Sequence, residues 1–145
     1  MPGAMDLKSL SALPRFKIGG HSLDNFYDVK SYKGKFVVTK QGQLLIKIVP
    51  LPDYEKHRFY HTEILEEAGV KNAESPKVKS AIKGGGKIEV ELIEGYLECR
   101  LFDKSDLYGR YDPKDIDQAG LELALDSTFG LGMMPILVIP DFKNN

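Results

Sequence analysis

The sequence predicts an α/β (α+β) domain, a mostly antiparallel sheet flanked by two or three helices. Three observations carry that expectation. Ile88, Val90 and Leu92 alternate with Glu89 and Glu91, and Leu97, Cys99 and Leu101 alternate with Glu98 and Arg100, across a turn at Glu94-Gly95. Period-two alternation on both sides of a Gly-containing turn gives paired strands with one wet face. A second hairpin is read from Phe36–Thr39 and Leu44–Val49, two β-branched-rich runs around Gly42. Helical patterns stand between and after these runs, so strands and helices share one core.

The elements follow in chain order. Met1-Pro2-Gly3-Ala4, ahead of Met5, reads as an expression scar, which leaves residues 6–145 as a single domain. Residues 6–34 are weakly patterned; Gly19-Gly20 and Lys33-Gly34 read as punctuation, and Asn25–Val29 as a helical turn or a docked arm. Pro50 and Pro52 stop the second strand. Thr62–Ala68 is helix-competent, with early Glu63 and a Gly69 cap. Ser75-Pro76 restarts a short helix that runs towards Lys83, before a glycine loop at Gly84–Gly86. Asp103–Tyr111 reads as a loop, Asp112-Pro113 opens a helix through Ile116, Leu121, Leu123 and Leu125, and Ile136–Ile139 is a final buried strand.

Composition excludes several classes. The 145 residues carry 42% hydrophobic side chains and a net charge of -1, so disorder is excluded and a dedicated nucleic-acid binder is not expected. The longest near-continuous apolar run, Met133–Pro140, falls far short of a membrane span. One cysteine, Cys99, gives no disulfide framework and reads as a small core hydrophobe. A cytoplasmic monomer is expected.

A few residues could carry chemistry. Lys47 shares a strand face with Leu45 and Val49, and reads either as a snorkelling lysine or as a rigidly held anion ligand. His61 stands at a helix start, where an imidazole that titrates near neutrality can serve as nucleophile or base and the amides of Thr62 and Glu63 can hold an anion. The bland alternative is a half-buried histidine bonded to a carbonyl. His57 lies four residues earlier, but no spaced third ligand follows, so no metal site is expected. Gly84-Gly85-Gly86-Lys87 reads as a flexible loop or as a close backbone approach to phosphate, with Lys87 a point charge. It lacks Walker spacing. Ser105–Gly109 alone says only "turn".

Tyr60-His61-Thr62-Glu63-Ile64, Gly84-Gly85-Gly86-Lys87-Ile88 and Ser105 to Gly109 fall in one order. Together, over about residues 44–118, they resemble the Janus/Ocnus family of small phosphohistidine phosphatases. That resemblance implies a metal- and cofactor-independent hydrolase acting on phosphohistidine, or phospholysine, in a phosphorylated protein substrate. It places the essential histidine at His61 and phosphate ligands at Lys87, Ser105, the amide of Leu107, and Lys47, beside the Thr62 amide already read from the helix start. The chain departs from the family pattern in three places. Lys87 stands for an arginine, Arg58 is the sole counterpart for an arginine before the histidine, and Pro113 lies near a histidine position. These departures leave a second expectation open, a non-catalytic anion- or phosphoprotein-binding module on the same fold.

Overall fold

A computed structural model describes residues 10–20, 29–105, 107–132 and 134–140. The expected scar at 1–4 and most of the Asn25–Val29 segment lie outside these residues. The chain is α+β, with a six-stranded mixed sheet and, among the described residues, four helices. In chain order the elements are β1 (Phe16–Gly19), β2 (Ser31–Thr39), β3 (Leu44–Pro50), α1 (Leu51–Lys56), α2 (His61–Glu67), α3 (Pro76–Lys79), β4 (Ile82–Ile93), β5 (Tyr96–Phe102), α4 (Gln118–Phe129) and β6 (Ile136–Ile139). The strand order is β1-β3-β2-β4-β5-β6.

The three inner pairs are antiparallel, joined by the two hairpins and by the long β2–β4 pairing. The outer strands pair parallel, β1 with β3 and β6 with β5. That makes the sheet mixed where a mostly antiparallel one was expected. The helical crossover through α4 is what returns β6 in the same direction as β5.

Strand alternation divides the core between two faces. Phe36, Ile46, Ile88, Cys99 and Leu101 meet Leu121, Leu125 and Phe129 of α4 on one face. Val37 and Leu45 meet Ile64 and Leu65 of α2, Val78 of α3 and Tyr108 on the other. Burial of Cys99 pushes its thiol up to about 12, against a small opposing pull from Arg100.

Several boundaries differ from the sequence reading, each for a local reason. Strand β2 starts at Ser31, five residues before Phe36, because Gly34 is an interior strand position. Any side chain there would collide with the backbone of Lys47 and Ile48. Pro52 does not merely end β3; it sits in the first turn of α1, where its missing N–H costs nothing, and Tyr54 is buried beneath. Helix α3 ends at Lys79, and Ile82 and Lys83 already belong to β4. The helix expected from Asp112-Pro113 is divided at Ile116 into a short 3-10 turn and α4, which Asp117 caps through Gly120 N–H at 3.0 Å. Strand β6 lies at the sheet edge rather than fully inside it, and Leu137 is exposed.

Candidate functional site

Gly84, Gly85 and Gly86 form no loop. They are strand residues of β4, paired with Val38, Val37 and Phe36. Each lacks a side chain for a separate reason of space. A Cβ on Gly84 would press on the Arg110 carbonyl at 2.8 Å, and one on Gly86 would strike Phe36 and Phe102. On Gly85 it would meet the Phe36 carbonyl oxygen at 2.7 Å and His61 Cδ2 at 3.1 Å. The glycine run thus leaves room for an imidazole against the sheet.

That imidazole opens helix α2. Tyr60 is the N-cap in extended conformation, its N–H donates to Glu63 Oε2 at 2.8 Å, and Glu63 N–H donates to Tyr60 O at 3.0 Å. The Glu63 amide is therefore used within the turn and is not the anion donor expected from sequence. His61 is 7% exposed, and its Nε2 lies 2.9 Å from Gly86 O. A carbonyl only accepts, so Nε2 carries the proton, and in the neutral ring Nδ1 holds the lone pair. The bland reading of a histidine bonded to a carbonyl is met here, and it fixes the tautomer of a ring that also faces a cleft.

The cleft measures about 590 Å³. It opens where β5 leaves β4 after Phe102 and the chain returns at Arg110, which bridges to Gly85 in parallel. His61, Thr62, Lys87, Ser105 and Leu107 line it together. Those are five of the residues predicted from sequence, drawn from three distant stretches. Tyr60, Lys35, Lys104, Arg110 and Glu74 complete the lining. Among the described lining residues four cations thus face a single carboxylate. The Ser105–Gly109 loop is held from below, since Tyr108 O–H donates to Ala73 O at 2.8 Å. Burial raises the Tyr108 phenol well above its ordinary value, with Glu74 and Glu66 adding to the rise, so it stays protonated as a donor. Ser105 Oγ accepts from Tyr108 N–H at 3.4 Å.

Lys47 is not brought to the cleft. Its Nζ pairs with Glu67 Oε1 at 2.6 Å and lies 4.6 Å from the Phe59 ring centre. Lys47, Lys35 and Lys87 are nevertheless direct cross-strand neighbours on β3, β2 and β4. Like charges placed opposite one another destabilise a sheet. The Glu67 carboxylate answers Lys47, and Lys35 lies over the exposed Tyr60 ring at 5.6 Å. Arg58 is exposed and does not line the cleft.

No family model, no curated protein and no solved structure matches this chain. Function has to be read from the cleft itself.

His57 ends α1 while His61 begins α2, so the two never share a helical face. Among the described residues no three His, Cys, Asp or Glu side chains converge as metal ligands. No helix among them is long and apolar enough to cross a membrane. Sequence reasoning missed Lys35 and Arg110. The alternation of Tyr32, Gly34, Phe36 and Val38 held the signal for Lys35, had Gly34 been taken as strand. Nothing local marks Arg110, which arrives through a single long-range bridge.

Proposed function

We propose that this chain is a protein phosphohistidine phosphatase of the Janus/Ocnus type, also competent on phospholysine, working in the cytoplasm as a monomer and without a metal. One observation carries the reading. An imidazole whose Nε2 is bonded to the Gly86 carbonyl is set in the wall of a cleft lined by Lys35, Lys87, Lys104 and Arg110.

In this proposal Lys87, Lys35 and Arg110 offset the charge of the phosphoryl oxygens, and Thr62, Ser105 and the Leu107 amide orient them. His61 acts through Nδ1. As a base it takes a proton from water while the water oxygen bonds to phosphorus, the P–N bond breaks, and the leaving nitrogen is protonated. As a nucleophile Nδ1 bonds to phosphorus while the substrate's P–N bond breaks and its nitrogen leaves with a proton from solvent, and water then attacks phosphorus and breaks the new P–N bond. Phosphoramidates suit so small a site, because a protonated imidazole leaves readily and the protein need supply little beyond orientation and charge.

The test is phosphate release from a histidine-phosphorylated peptide, with and without a chelator. His61→Ala should lose about 100-fold or more in turnover while keeping its folded circular-dichroism spectrum. A variant that keeps a tenth of the activity removes His61 from the chemistry. If the wild-type chain binds phosphate in the cleft yet never turns over, the binding-module reading replaces the enzyme.

A further inference from the structure

Among the described residues Glu74 is the one carboxylate in the lining of a cleft that also holds Lys35, Lys87, Lys104 and Arg110. Among the described residues it forms no ion pair with any of them. Its placement is not left to a loose loop. Asn72 takes a positive φ of 55°, Ser75 N–H closes the turn on Asn72 O at 2.9 Å, and Ala73 is buried with its carbonyl bonded to Tyr108 O–H. The same tyrosine orders the Ser105 loop, so the carboxylate and the anion-holding loop share one support.

A carboxylate in a cationic cleft has a definite electrostatic consequence. It repels a bare phosphoryl anion and attracts a positive group attached to one. The cost of admitting the wrong ligand and the gain from the right one act together as selectivity. We infer that Glu74 is a specificity-determining residue, which tunes the cleft to a phosphoryl group carried beside a cation. The ligand class is a phosphate or phosphoramidate with an ammonium, imidazolium or guanidinium close to it, either within a small molecule or supplied by a basic residue flanking the phosphorylated one. This inference rests on the anion-holding reading of the cleft.

The experiment titrates the full chain by isotope-edited NMR with two ligands of matched shape, phosphoethanolamine and ethyl phosphate, at constant ionic strength. In the wild-type protein phosphoethanolamine should bind about fivefold more tightly, the scale of one exposed ion pair. In Glu74→Gln the ratio should fall to about one, with ethyl phosphate tightening and phosphoethanolamine weakening. Glu74→Asp should keep part of the preference. A peptide arm separates the sources. Histidine-phosphorylated peptides with Lys or norleucine beside the phosphorylated residue should differ in KM, and Glu74→Gln should erase the difference, if the cation comes from a protein. Preference in the small molecules without one in the peptides assigns the site to a free ligand. An unchanged ratio in Glu74→Gln overturns the inference while leaving the anion cleft standing. If neither ligand shifts the His61 and Lys87 signals, the cleft holds no phosphate and both readings fall.

Discussion

At the scale of the residue, Gly85 shows how a site can depend on an absent side chain. His61 reaches the Gly86 carbonyl only because nothing projects from Gly85 beneath the ring. In Gly85→Ala the new methyl would press on a strand carbonyl on one side and the imidazole on the other. Overpacking of that kind costs about 1–3 kcal/mol, and the ring must shift by a few tenths of an ångström. The expected outcome is a lowered urea midpoint together with a fall in turnover beyond what the unfolded fraction explains. Denaturation and phosphate release measured on one preparation check both. The His61 position was legible in the sequence because a helix start leaves marks, an early acid and a later glycine. The role of the glycines was not. A run of three glycines looks the same whether it spans a loop or lies in a crowded strand, and only the β2 register, with Phe36 beside Gly86, decides between them.

At the scale of the element, the strands were more legible than their ends. The Ile88–Leu101 hairpin is where alternation predicted it, with the turn at Glu94-Gly95. The start of β2 was lost because Gly34 and Lys33 imitate a turn, and Lys35 was lost with it. Gly34→Ala should fail to fold at 37 °C, since the obstruction is backbone on β3 and cannot rotate away. Circular dichroism and hydrogen exchange of β2 and β3 would report that failure. The two sheet edges are unequal. β1 carries Lys17, whereas β6 is wholly apolar and Leu137 on it is 50% exposed. An uncharged apolar edge invites strand pairing between copies. Leu137→Lys should therefore raise the concentration at which light scattering appears, with little change in melting temperature.

For the whole molecule, a net charge of -1 conceals a strongly uneven distribution. Cations are gathered at the cleft while Glu89, Glu91 and Glu98 stand along the hairpin. Stability should respond to alkali rather than to salt. Cys99 is raised in the folded chain from an ordinary 9.0 to about 12, so the native state keeps a proton that the unfolded chain gives up. Its stabilising contribution is complete below pH 9 and is lost as pH climbs from there to about 12. Tyr108, raised by burial, acts in the same direction. Melting temperatures should fall across that window, and Cys99→Ala should flatten the fall after starting from a lower value, since a buried side chain is truncated.

The hydrogen bond from His61 to Gly86 ties the imidazole to a residue whose strand partner is Phe36 and, one position on, to the pairing of Lys87 with Lys35 and Phe102. A slip of β4 by one position would turn Lys87 to the opposite side of the sheet and take it out of the cleft wall. Under the proposed phosphatase reading, half-assembled chains would then be chemically silent, and recovery of turnover during refolding would serve as a clock for the closing of the central strands.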